Sequence, residues 1–262
     1  MITIPEMDTE QYIKEVCKFI QEKVEQSHTK GVVLGLSGGI DSTIVAYLSV
    51  LALGKDHVKG YILPSKTTSK EDLNDALLIK NLLNIQAETI YIDDIYDSFL
   101  QTDGTDVDDK TLAQSNIKPR IRMTLLYYYA TLNNYLVIGT GNKTELNIGY
   151  FTKYGDGGVD LSPIGDLYKE EVKQVAYKLN VPENIINKSP TAGLTLNQTD
   201  ESDLGLKYSQ IDKIVYAYTE KSMKTMDISK QLGIEHDKVE SIINRIISSQ
   251  HKRELAPIFK KK

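Results

Sequence analysis

The sequence has a single cysteine, Cys17, which excludes an intrachain disulfide framework and a multi-cysteine zinc site and suits a reducing cytosol. It has no long apolar run. Its most apolar window, Ile44 to Leu53, is broken by Tyr47 and Ser49 and is shorter than the roughly 20 residues that a membrane span needs. A basic surplus is missing too: 36 acidic residues outnumber 31 basic ones, for a net charge of -5, so nothing global draws the chain to nucleic acid. The opening MITIPEMDTE has no basic stretch ahead of an apolar one, so neither a signal nor a transit peptide is expected and the cytoplasm is the expected compartment.

What is present is an ordinary globular composition. At 262 residues, 40% hydrophobic and 26% charged, the chain reads as one domain, residues 1–262, able to bury a substantial core. Apolar residues at Ile13, Val16, Cys17, Ile20 and Val24 recur at helical spacing and predict an amphipathic helix over Asp8 to His28. Gly31 then introduces a buried strand from Val32 to Leu34, a Ser37-Gly38-Gly39 turn and a helix from about Ser42, which is a βα unit. The alternation continues with a strand over Val58 to Leu63, a helix over Lys70 to Leu83 and a strand over Ala87 to Ile92. A helical stretch from Leu112 to Leu132 and a strand from Tyr135 to Gly139 follow, so the fold class is α/β with a parallel sheet. Asn147 to Gly165 and Ser189 to Leu204 read as long irregular loops, the second of them (189–204) mobile. A short helix is expected to begin near Leu167, and helical character returns from Ser209 to about Ser249.

The segment Gly35-Leu36-Ser37-Gly38-Gly39-Ile40-Asp41-Ser42 lies between a predicted strand and a predicted helix, where backbone N–H groups can cradle an anion. The familiar kinase and GTPase loop has a lysine where this loop has Asp41. A carboxylate repels phosphates unless a divalent ion lies between them. Magnesium is typically held by one or two carboxylates plus substrate phosphates, so the loop points to Mg-ATP. The plainer alternative is a Ser-Gly-Gly turn with Asp41 meeting its helix dipole.

This loop resembles the pyrophosphate loop, SGG-x-DS after a hydrophobic strand, of the N-type ATP pyrophosphatases, which cleave ATP to AMP and pyrophosphate. Four further stretches resemble ammonia-dependent NAD synthetases in order and spacing: Asn116 to Met123, Gly139-Thr140-Gly141-Asn142-Lys143-Thr144-Glu145, Phe151 to Asp160, and His251-Lys252-Arg253. With Lys169, the likeness covers nearly the whole chain. It implies a doubly wound parallel sheet flanked by helices, of the adenine-nucleotide alpha-hydrolase-like kind. It also implies ATP-dependent amidation of deamido-NAD by free ammonia, the last step of NAD biosynthesis, in a homodimer with its active site near the interface.

The residues themselves and the resemblance support these assignments unequally. Asp41 and Glu145 are the carboxylate pair expected to hold magnesium, Glu145 by resemblance; a glutamate at a helix start is its plainer reading. Thr140 ends a predicted strand, the side on which open α/β sheets bind ligands, and the resemblance puts it on ATP together with Gly35 to Ser42, Lys169 and Thr191. Lys169 opens a helix, where lysine opposes the dipole, so it needs an anionic partner. Lys118, Arg120 and Arg122 form a basic cluster at a helix start, suited to a dinucleotide's phosphates or to solvation; the resemblance puts Arg120 on deamido-NAD and leaves Arg122 structural. By resemblance Lys153, Asp160, His251 and Lys252 also contact deamido-NAD, and Asp160 orients or deprotonates ammonium. After Thr191-Ala192-Gly193-Leu194 the polar loop departs from the family's common versions.

The implied reaction makes an acyl-adenylate, which ammonia then converts to the amide. A glutaminase module would need its own length and a catalytic cysteine, so free ammonia is the expected donor; Cys17 sits on an apolar helix face with Val16 and Ile20. The rivals are a GMP-synthetase-like amidase, a tRNA thiolase, which usually needs reactive cysteines, and a non-catalytic nucleotide sensor, which would have no use for the carboxylate pair.

Overall fold

The computed structural model describes residues 2–104, 109–191 and 199–261. Helix α1 (Thr9–Gln26) starts at Asp8, whose side chain accepts from the Gln11 N–H, and turns Val16, Ile20 and Val24 inward. Strand β1 (Val32–Gly35) runs into the glycine turn, and Gly39 caps helix α2 (Ile40–Leu53). Strand β2 (Val58–Ile62), helix α3 (Lys70–Leu83) and strand β3 (Gln86–Thr89) follow, then helices α4 (Asp93–Leu100), α5 (Thr111–Ser115) and α6 (Ile117–Asn133), then strand β4 (Leu136–Val137). All pairings are parallel in a four-stranded sheet of order β3-β2-β1-β4.

Successive side chains of a strand face opposite ways, and β1 uses both faces. Val32 and Leu34 pack with Ile20 of α1, Ile44 and Leu48 of α2 and Ile79 of α3. Val33 packs on the other side with Tyr61, Val137 and Ile121 and Ala130 of α6. Helices therefore cover both faces of the sheet, which is the doubly wound arrangement.

The remaining helices are α7 (Lys143–Ile148), α8 (Lys169–Lys178), α9 (Glu183–Ile186), α10 (Asp200–Leu204), α11 (Tyr208–Thr219), α12 (Thr225–Leu232), α13 (His236–Ser248) and α14 (Gln250–Arg253). Helix α8 joins the core on the α1 and α2 side through Val172 and Val175. Helices α11, α12 and α13 build a second apolar cluster around Ile211, Ile214, Ile228, Val239 and Ile242, which takes in Ile148 of α7 and no strand residue. Among the described residues no helix is long and apolar enough to cross a membrane.

Several expected boundaries move. Strand β4 ladders over only Leu136–Val137; beyond it the Ile138 N–H still donates to the Val33 carbonyl at 2.9 Å, while Ile138 also bridges Leu161. The stretch expected to be irregular from Asn147 begins inside α7, whose end is set by Gly149 at φ +67°; a side chain there would collide with Ser249. The second stretch expected to be irregular contains α10, capped by the Thr199 hydroxyl on the Ser202 N–H. The mobility expected for 189–204 rests on residues 192–198, which lie outside the described residues.

Candidate active site

Chain order places β2 and β3 on one side of β1 and β4 on the other. The crevice at such a reversal, at the carboxyl ends of the strands, is where open α/β sheets bind ligands. The loop after β1 and the loop after β4 both open there.

In the first loop, Gly38 takes φ +80°, a conformation glycine adopts without steric cost. The Ser37 and Ser42 hydroxyls lie 3.0 Å apart, the Ser42 hydroxyl also receives the Ser37 N–H at 3.2 Å, and the Gly39 N–H donates to Ser37 Oγ at 3.2 Å. The Gly39 carbonyl accepts from the Thr43 hydroxyl at 2.9 Å. Leu36 and Ile40 anchor the loop in the core, and Asp41 stands in the first turn of α2.

Asp41 does not stand alone. Lys169, the first residue of α8 and only 2% exposed, donates to Asp41 Oδ2 at 2.6 Å and to Glu145 Oε1 at 3.1 Å. The anionic partner that this lysine required is thus a pair of carboxylates. Burial alone would lower the lysine's pKa, but the two carboxylates outweigh it and hold it above the ordinary lysine value. Burial pushes the Glu145 carboxyl up to about 7, against the pull of the Lys169 ammonium and with the Asp41 charge adding to the rise.

Asn142 joins the two carboxylates and was not singled out in the sequence. It is fully buried. Its Nδ2 donates to Asp41 Oδ1 at 2.9 Å, its Oδ1 accepts the Glu145 N–H at 3.0 Å, and its own N–H donates to Glu145 Oε2 at 3.3 Å. This is a capping box on α7 whose asparagine also grips the carboxylate on α2. The capping spacing of Asn142 and Glu145 was legible; the reach to Asp41 was not. Beneath it, Asp212 of α11 accepts the Thr144 hydroxyl at 2.5 Å and the Glu170 N–H at 3.0 Å, tying α7 and α8 to the second cluster.

The Lys169 ammonium lies 5.1 Å from the Tyr208 ring centroid, and the Tyr208 hydroxyl donates to Asp200 Oδ2 at 3.0 Å. Asp200 Oδ1 is buried and, among the described residues, has no hydrogen-bond partner. A cavity of about 210 Å³ opens beside Lys169, Lys188 and Tyr208. Hard carboxylate oxygens side by side suit magnesium, and the unpartnered Asp200 Oδ1 among the described residues fits a site that takes a further cation. Thr140 follows β4 on the same side of the sheet, and Thr191 is exposed.

The groups expected on the dinucleotide are placed differently. The basic cluster at the start of α6 splits. Lys118 turns inward and donates to Thr67 Oγ1 at 3.0 Å, and Arg122 Nε donates to the Leu63 carbonyl at 2.9 Å, so it has the structural place expected of it. Arg120 stays exposed, within 3.3 Å of the Lys153 carbonyl. The Lys153 ammonium donates to the His251 carbonyl, and Lys252 donates to the Gly149 and Phe151 carbonyls at 2.8 and 2.9 Å. Arg253, given no role by the sequence, holds the Leu146 and Asn147 carbonyls at 3.1 and 2.6 Å. Asp160 receives the Val137 N–H at 2.8 Å and the Tyr127 hydroxyl at 3.0 Å. A second cavity, about 350 Å³, lies between Lys252, Phe151 and Gly157.

A profile of the NAD synthase family matches residues 12–256. The chain belongs to the NAD synthase family. It is 45% identical over 249 residues to an NH(3)-dependent NAD(+) synthetase of Thermococcus sibiricus, covering 95% of this chain and 96% of that one. It is 44% identical over 253 residues to a synthetase of the same description from Archaeoglobus fulgidus, covering 96% and 97%. Among solved structures, the NH3-dependent NAD synthetase from Campylobacter jejuni superposes with TM-score 0.81 at 36% identity, over 97% of this chain and all of that one. An NMN synthetase from Francisella tularensis superposes with TM-score 0.86 at 34% identity, over 98% and 100%.

Proposed function

We propose that this member of the NAD synthase family makes NAD from deamido-NAD, ATP and free ammonia, releasing AMP and pyrophosphate. The observation that carries the reading is the buried Asp41, Lys169 and Glu145 constellation beside an anion-cradling glycine loop at the sheet's strand reversal. A nucleotide sensor would have no use for paired carboxylates at that point.

A carboxylate is a poor acyl donor until its oxygen carries a good leaving group. The nicotinate carboxylate attacks the α-phosphorus of ATP, the bond to pyrophosphate breaks, and the Ser37 to Ser42 loop receives the departing anion through its N–H groups. A magnesium ion held by Asp41 and Glu145 would supply positive charge for that departure. Lys169 keeps the two carboxylates together, and Thr140 and Thr191 line the ATP. Ammonia nitrogen then attacks the acyl carbon, the C–O bond to AMP breaks with its electron pair, and a nitrogen proton must be taken up. Asp160, its carboxylate fixed by Val137 and Tyr127, is assigned to orient or deprotonate the incoming ammonium, and the proton lost on amide formation passes to solvent. Arg120, Lys153, His251 and Lys252 are assigned to deamido-NAD.

A homodimer is part of this reading. Ile95 and Phe99 of α4 and Tyr128 and Leu132 of α6 are exposed, and these adjacent helices offer apolar surface that suits a second copy. Light scattering should give twice the chain mass; an active monomer contradicts it.

The likeness to an NMN synthetase makes the mononucleotide of nicotinic acid the rival acceptor. Purified protein should be incubated with Mg-ATP and either deamido-NAD or nicotinate mononucleotide, with ammonium or glutamine, and the products weighed by mass spectrometry. The expected result is NAD with stoichiometric AMP from deamido-NAD and ammonium. Amidation of the mononucleotide alone would move the chain to the other activity, and absence of AMP would reject the reaction.

A further inference from the structure

Lys188 stands outside every motif noted in the sequence and is spent entirely on protein groups. Its ammonium donates to the Gly38 carbonyl at 2.7 Å, to Asp72 Oδ1 at 2.8 Å and to Asp75 Oδ2 at 2.7 Å, which uses the three N–H donors a lysine has. The side chain is 13% exposed, Asp75 is 5% exposed, and the other Asp75 oxygen accepts from Asn184 Nδ2 at 2.9 Å. Burial opposes the charge on Lys188, but the Asp72 and Asp75 carboxylates overcome it and raise the lysine's pKa. An ammonium so enclosed has no donor left with which to grip a phosphate itself.

What Lys188 holds is the peptide between Gly38 and Gly39, in the middle of the anion loop. A peptide is planar and trans, so its carbonyl and its N–H point in opposite directions. With the Gly38 carbonyl drawn to Lys188, the Gly39 N–H is turned the other way, toward Ser37 Oγ and the mouth of α2. Were this peptide to flip, a carbonyl oxygen would face an incoming anion in place of a donor. Glycine on both sides makes such a flip sterically easy, and Gly38 is so close to α3 that a Cβ would collide with the Asp72 carbonyl. Side-chain pinning is therefore the means left for holding the orientation.

We infer that Lys188 is a positioning residue of the reaction, which fixes the Gly38–Gly39 peptide so that the loop presents donors to pyrophosphate. Asp75, itself fixed by Asn184, orients Lys188. The inference rests on the reading of the loop as a pyrophosphate site given above.

The test compares Mg-pyrophosphate binding by calorimetry in the wild type, Lys188→Met and Asp75→Asn, with steady-state kinetics alongside. Lys188→Met is expected to weaken Mg-pyrophosphate at least about tenfold, a loss of roughly 1.4 kcal/mol, and to raise the KM for ATP in step while the KM for deamido-NAD holds. Asp75→Asn leaves the lysine charge in place and should weaken pyrophosphate in the same direction by a smaller factor. Because the effect works through geometry, it should be the same at low and high salt, whereas a direct phosphate contact would be screened. The Gly39 amide resonance should move in both variants. Unchanged pyrophosphate affinity with only a lower Tm would overturn the inference, as would a loss that salt erases. If Lys188→Met does not fold, Asp75→Asn carries the same prediction and decides it. A wild type that binds no Mg-pyrophosphate sinks the reading of the loop and this inference together; a wild type that binds beside variants that bind equally well sinks the inference alone.

Discussion

The two ends of the candidate site are built on different principles. At the end proposed for ATP, each lysine is held by two carboxylates: Lys169 by Asp41 and Glu145, Lys188 by Asp72 and Asp75, all at least partly buried. At the end proposed for the dinucleotide, Lys153, Lys252 and Arg253 spend donors on backbone carbonyls of the loop and helix they face. A charge paired with a buried charge cannot be removed without stranding its partner. A cation on carbonyls leaves behind neutral acceptors, although Lys252 also feels the charge of Asp156. The end proposed for ATP is thus preorganised by ion pairs, and at the end proposed for the dinucleotide the cations are held by backbone carbonyls.

Removing Lys169 should give the largest effect. Lys169→Met leaves Asp41 and Glu145 facing each other without a cation, and a broken buried pair costs about 3–5 kcal/mol; thermal unfolding should show a Tm drop of many degrees, which added magnesium partly restores. No stability change would mean that the carboxylates are already hydrated.

Next in size is Asn142→Ala, which frees Asp41 Oδ1 and the Glu145 cap. A misplacement of about 1 Å at such a site costs roughly 100-fold, so kcat should fall by about that factor, with pyrophosphate release still coupled to amide formation. A kcat within a factor of two of wild type would make Asn142 a helix cap and nothing more.

Lys252→Ala should act at the other end and more mildly. The KM for deamido-NAD should rise about tenfold, equivalent to roughly 1.4 kcal/mol, while the KM for ATP stays put. If both constants rise together, the two ends are not energetically separate.

A separate effect, on stability rather than turnover, concerns Asp212, whose carboxyl burial pushes up to about 6 from 3.8. A folded-state pKa above the unfolded one contributes stability that is full below the unfolded value and is lost as pH rises through the folded value. Denaturant unfolding should therefore show stability falling between these two pH values, and Asp212→Asn should flatten that slope. An unaltered slope would assign it to other groups.

Much of the first half was readable. The apolar spacing of Val16, Ile20 and Val24, and the turn at Ser37-Gly38-Gly39 after Val32 to Leu34, are local signals, and the helices and strands fall where those signals lie. Strand β4 was read too long; the partner that Ile138 bridges, Leu161, lies more than twenty residues away, beyond any local signal. Helix α10 was overlooked because its residues are acidic and polar; its hold comes from the Thr199 cap and from Leu204 in the second cluster.

The site residues divide in the same way. The sequence by itself determined the anion loop, the need of Lys169 for an anionic partner and the place of Glu145 at a helix start, because each follows from φ, dipole or spacing within a few residues. Only the tertiary structure decided who the partners are. Lys169 meets Asp41 across 128 residues, Lys188 meets Gly38 across 150, and Thr144 meets Asp212 across 68. Periodicity and propensity carry no information over such separations. The pairings arise when α2, α7 and α8 close on one another and buried charges must find compensation within reach.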